Sequence, residues 1–89
     1  MKQSHYYAVV HKDEGSAFGI AFPDLPGCFS AADREEDILP NASEALALWF
    51  ENGAAMIEPS PLKAIRATAR DDLATGAFLL AVPRIDAAN

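Results

Sequence analysis

Apolar and polar positions between His5 and Lys12 fall on two sides of an extended chain. His5, Tyr7, Val9 and His11 share one side, and Tyr6, Ala8, Val10 and Lys12 the other. This spacing predicts a first strand. Asp13-Glu14-Gly15-Ser16 is polar and carries a glycine, the composition of a hairpin turn, and Ala17 to Phe22 returns as a second strand. There Phe18, Ile20 and Phe22 lie on one face and the small Ala17, Gly19 and Ala21 on the other. One face is therefore expected beneath a helix and the other close against a neighbour, such as a second subunit. Phe22-Pro23-Asp24-Leu25-Pro26-Gly27-Cys28 interrupts the pattern with two prolines and a glycine, which make a stiff corner. Gly27 to Ala32 reads as a short third strand, completing an antiparallel meander.

The period changes after Asp33. Ile38, Leu39, Ala42, Ala45, Leu46, Trp49 and Phe50 form one apolar stripe at helical spacing. Asp33 and Glu36 resemble a capping box, and Glu35, Glu36 and Asp37 suit the positive end of a helix dipole. Pro40 either kinks this helix or separates a turn at 33–39 from a main helix beginning near it. The stripe keeps phase across Pro40, so the pattern predicts one kinked helix ending at Asn52-Gly53. Ser60 is placed to cap a second, short helix with Pro61 as its first residue. Leu62, Ile65, Ala69 and Leu73 give that helix a narrow apolar stripe, with Lys63, Arg66 and Arg70 outward and Gly76 as its limit. Residues 77–82 are continuously apolar, which predicts a fourth strand covered on both faces. Pro83 ends it or marks an edge, and 84–89 should fray. The fold class is α+β, a three-stranded antiparallel meander followed by a long helix, a short helix and a closing fourth strand, all in one domain over residues 1–89.

Composition narrows the function. The chain has 89 residues, 51% of them hydrophobic, enough for one small core whose stability would gain from homo-oligomerisation. Its formal charge of −6 and sequence pI of about 4.6 disfavour a phosphate backbone as ligand and suit a basic protein partner. Cys28 is the single cysteine, which excludes an internal disulfide and a cysteine-based zinc site. The start lacks an apolar signal region and no run reaches membrane-spanning length, so a cytoplasmic protein is expected.

Reactive groups are sparse. His5 and His11 share a strand face but stand far apart along it, a poor metal pair without a third ligand. Cys28 reads as a small buried hydrophobe. Asp24, Asp33, Glu35, Glu36 and Asp37 could gather into an acidic patch or even a magnesium site, although acids at a helix start more often cap it. No nucleophile elbow or phosphate-cradling loop is present. These observations point away from an enzyme, and no cofactor is expected. The adjacent Tyr6 and Tyr7 suit partial burial or an interface.

Three runs in order carry a resemblance: Tyr6-Tyr7-Ala8-Val9-Val10, then Phe22-Pro23-Asp24-Leu25-Pro26-Gly27-Cys28-Phe29, then Asn41-Ala42-Ser43-Glu44-Ala45-Leu46. The sequence resembles the N-terminal domain of HicB-type antitoxins. That resemblance implies a reduced ribonuclease-H-like fold without a working nuclease site, which binds a small, basic, RNA-cleaving HicA-type toxin and covers its active face. Arg34 departs from the small capping residue usual there, and Pro40 from an unbroken helix. Such antitoxins usually continue into a DNA-binding segment, and nothing after Ile85 can supply one, so no nucleic-acid binding is expected of this stretch. Asp24, Leu25, Pro26, Asp33, Glu35 and Glu36 are the expected toxin contacts, as residues of a rigid, exposed, acidic corner and helix start. The alternatives are a metal-dependent nuclease on the same fold, which needs several carboxylates in one metal shell, and an orphan oligomeric module with another partner.

Overall fold

The computed structural model describes residues 4–12, 15, 17–51 and 57–84. One antiparallel sheet holds strands β1 (Ser4–Lys12), β2 (Phe18–Ala21), β3 (Phe29–Ala32) and β4 (Phe78–Arg84) in the order β3-β2-β1-β4. The alternation of β1 to β3 folds as the expected meander, with Val9 opposite Ala21 and Ala21 opposite Phe29. β4 closes on the free side of β1, pairing Ser4 with Arg84 through to Val10 with Phe78. Gly15 and Gly27 take positive φ, 75° and 80°, where an L side chain would be strained.

One face of the sheet carries the core. Tyr6, Ala8 and Val10 of β1 join Ile20, Ala32 and Val82 from the other strands. Over them lies α1 (Ile38–Glu51), contributing Ile38, Ala42 and Leu46, and Phe22, Leu25 and Cys28 complete the cluster. Each large aliphatic or aromatic side chain so buried contributes about 1.5–3 kcal/mol relative to exposure. Val9, Ile65 and Ala69 are also buried, outside that cluster. Strand alternation puts Val9 on the opposite face, so the sheet centre is covered on both sides. Ile65 and Ala69, four apart, form the buried stripe of α2 (Leu62–Thr68) and the turn leading into α3 (Arg70–Ala74).

Four expectations are corrected. Residues 33–51 are not one kinked helix: a 3-10 turn at Glu35–Asp37 leads into α1, and Pro40 lies in its first turn. A first-turn N–H has no intrahelical acceptor, so proline there forfeits nothing. The 3-10 turn is capped by Arg34 without a side-chain bond, so the Asp33–Glu36 capping box does not form. Pro61 rather than Ser60 is the N-cap of α2, its carbonyl accepting from the N–H of Ala64 and Ile65 at 3.0 and 3.1 Å. Finally, β4 is an outer strand with Phe78 and Ala81 exposed, not one covered on both faces. Its place at the edge is also what tolerates Pro83, which has no N–H to donate. Opposite Gly19 the close neighbour is the protein's own His11, whose Nε2 would lie 3.3 Å from an added Cβ. The predicted stop at Asn52-Gly53, most of the hairpin turn and the fraying end at 85–89 lie outside the described residues.

The Tyr6 hydroxyl donates to the Ile57 carbonyl, and its ring sits 5.5 Å from that of Phe50. On Phe50 also rests the Arg84 guanidinium, 4.0 Å from the ring centroid. Burial raises the Tyr6 phenol, partly offset by Arg84 and reinforced by Glu58 and Asp24, and burial alone raises the Cys28 thiol. Both groups are neutral when protonated, so their folded pKa values exceed the unfolded ones. Their contribution is complete below the ordinary values of 9.0 and 10.0 and is lost as pH rises beyond them. Urea unfolding should therefore show stability declining above about pH 9, and the Tyr6→Phe, Cys28→Ala double variant should decline less steeply. An equal slope in both proteins would refute the assignment.

Candidate functional site

The corner between β2 and β3 is two successive four-residue turns. The N–H of Leu25 donates to the Phe22 carbonyl at 3.1 Å and that of Cys28 to the Leu25 carbonyl at 3.0 Å. A third bond, Phe22 N–H to the Cys28 carbonyl at 3.2 Å, closes the loop. Each proline takes the second position of its turn, where fixed φ is favourable, and Gly27 supplies the positive φ that the third position of a type II turn requires.

This corner is bound into the fold. Leu25 is 0% exposed and plugs the core, so it is not the exposed contact the sequence suggested. The Asp24 carboxylate is engaged by Ser60, whose N–H donates to Oδ2 and hydroxyl to Oδ1, both at 2.7 Å. α1 straps down the corner and the strand that follows it: Trp49 Nε1 donates to the Pro26 carbonyl at 2.9 Å, and Asn41 Nδ2 to the Ala31 carbonyl of β3 at 2.8 Å. Cys28 Sγ lies 3.6 Å from the Ala45 carbonyl. The Cys28–Ala45 contact joins the runs at 22–29 and 41–46 directly, and the Asn41 and Trp49 bonds hold α1 beside the same stretch of chain. Pro26 is exposed at the surface of the corner.

The other expected contacts, Asp33, Glu35 and Glu36, are exposed at the turn before α1. Arg34 partly neutralises this run, with Nη1 3.5 Å from Glu36 Oε2 and Nε 3.5 Å from Asp37 Oδ2. The corner precedes β3 and the acidic turn follows it, so about 13 Å of strand separates them. Asp24, Leu25 and Pro26 thus lie together at the corner, and Asp33, Glu35 and Glu36 together at the turn before α1.

Two grooves flank these segments. One, about 310 Å³, runs between β3 and α1 past Gly27, Ser30 and Asn41, with Phe29 70% and Leu48 51% exposed at its walls. The other, about 430 Å³, lies between the start of α1 and β4. Ile38, Leu39, Phe78 and Leu80 line it, and Glu35 and Glu36 form its acidic rim. Sequence reasoning missed Leu39 and Phe78, which it assigned to the covered stripe and the covered strand. Pro83 was the available signal, since a strand that tolerates it lies at an edge. Among the described residues no three His, Cys, Asp or Glu side chains are placed to share a metal ion, as the nuclease alternative requires. Nor is any described helix long and apolar enough to cross a membrane.

Residues 6–88 match the model of the HicB-like antitoxins of bacterial toxin-antitoxin systems. The chain belongs to this family. The HicB-like fold aligns with a chain of the HicA3 and HicB3 toxin-antitoxin complex at 27% identity and a TM-score of 0.72, covering 92% of this chain and 99% of that one. Antitoxin HicB of Burkholderia pseudomallei aligns over 97% of this chain at 26% identity and a TM-score of 0.75. This HicB-like chain covers 64% of that protein. UPF0150 protein Ta0767 of Thermoplasma acidophilum is 32% identical over 47 residues, 53% of this chain and 68% of the relative.

Proposed function

We propose that this chain is a non-catalytic antitoxin that neutralises a basic, RNA-cleaving HicA-type toxin by covering its active surface. The observation that carries the reading is the alignment over nearly the whole of a chain from a toxin-antitoxin complex, within a family match spanning residues 6–88. The chain's charge of −6 supports it, because an acidic protein is drawn to a surface built to hold RNA. The exposed acids Asp33, Glu35 and Glu36 make the contacts, with Pro26 at the far end of β3 as an outlying one. Asp24 and Leu25 are engaged within the fold. The antitoxin works in the cytoplasm as a homo-oligomer, and residues 1–89 act as one unit that leaves nucleic acid to the toxin.

The test is an RNA-cleavage assay with a HicA-type toxin. Cleavage should fall stoichiometrically as antitoxin is added and cease at excess. Undiminished cleavage at a severalfold excess would reject the reading.

A further inference from the structure

We propose that the groove between the start of α1 and β4 is the seat of a cationic segment of the toxin bearing an apolar side chain. This rests on the toxin partnership proposed above and names the surface that serves it.

Two independent features of the groove select this occupant. Its floor is apolar and open, with Leu39 43% and Phe78 44% exposed, and large apolar side chains left in water are what a docking partner covers. Its rim is anionic: Glu35 and Glu36 stand exposed above Leu39. Arg34 lies 3.5 Å from the carboxylates of Glu36 and Asp37, whereas no cation of the described residues is paired with Glu35. A second copy of this chain, itself carrying −6, gains nothing by bringing its acids to an acidic rim. A basic partner gains both terms, apolar burial at the floor and charge complementarity at the rim. Access is open, because β4 is the outermost strand and pairs only with β1 among the described residues. The groove between β3 and α1 has the more exposed phenylalanine, Phe29, but only Glu44 as an acid in its lining. It provides the internal control.

Rim and floor should act on different rate constants. Rim charges steer encounter, so Glu35→Lys with Glu36→Lys should slow association about tenfold at low salt and flatten its salt dependence. Floor residues hold the complex, so Leu39→Ser with Phe78→Ser should speed dissociation about tenfold or more and leave association nearly unchanged. Phe29→Ser with Leu48→Ser should change neither by more than about threefold. Kinetics are read by surface plasmon resonance with a HicA-type toxin, inactivated by substitution, on chains whose circular dichroism and urea midpoints are compared first. Should Phe78→Ser disturb folding, the exposed Glu35 and Glu36 pair alone decides.

Wild-type binding with both rim and floor variants unaltered would overturn the groove and leave the toxin partnership standing. So would loss of binding in the Phe29 and Leu48 variant alone. A floor variant that changed self-association in sedimentation, with toxin binding intact, would assign the groove to a second copy and overturn the proposal. Failure of the wild-type chain to bind would remove the partnership itself.

Discussion

Leu25→Ala should lower the unfolding free energy by about 3 kcal/mol. Leu25 is 0% exposed and belongs to the same buried cluster as Tyr6, Phe22 and Leu46. Removing its side chain forfeits transfer energy and leaves a cavity, and the size of the loss depends on how far the surroundings can collapse. Here they cannot collapse far. The backbone around it is fixed by two prolines and three hydrogen bonds of 3.0–3.2 Å, and Trp49 holds the Pro26 carbonyl from α1. In a folded chain whose total stability is of order 5–15 kcal/mol, such a loss shifts the thermal midpoint by roughly 10 °C or more. Equilibrium urea unfolding at fixed protein concentration measures it. A change below about 1 kcal/mol would mean that the corner relaxes onto the cavity and is not the rigid joint its bonding describes.

That result bears on what the sequence could reveal. The strands of the meander were legible because alternation places Tyr6, Ala8 and Val10 on one face, and the same side chains are buried together. The corner was legible as a turn because Pro23, Pro26 and Gly27 each restrict or permit particular φ values. Its orientation was not. A Pro-Asp-Leu-Pro run gives no sign of whether leucine points inward, and local rules for turns do not contain α1, which Trp49 ties to Pro26 from 23 residues away. Ser60 shows the same limit, since its local preference for capping was overridden by a carboxylate 36 residues away. The continuous apolar run at 77–82 failed for another reason. Periodicity cannot tell a strand buried on both faces from an edge strand with one apolar face left open for a partner. In this chain that ambiguity falls on the surface proposed to carry the function, because residues reserved for a second protein look like core until the fold leaves them exposed.

Asp24→Ala should destabilise the chain by about 2 kcal/mol, through loss of two short charge-assisted hydrogen bonds at a half-buried site. Both run to Ser60, from its N–H and its hydroxyl at 2.7 Å, and they tie the corner to the residue preceding Pro61, the N-cap of α2. Ser60→Ala removes the hydroxyl but keeps the N–H, so it should cost about half as much, and a double-mutant cycle should return a coupling of roughly 1 kcal/mol. Hydrogen exchange should quicken at Ser60 and across the first turn of α2 in Asp24→Ala, while β1 stays protected, because the lost bonds anchor only that junction. The same variant separates structure from recognition. With the carboxylate committed to Ser60, toxin affinity of the folded Asp24→Ala chain should remain within about threefold of wild type. A loss of tenfold or more at full folding, with hydrogen exchange unchanged near Ser60, would instead make Asp24 a toxin contact and move the docking surface to the corner.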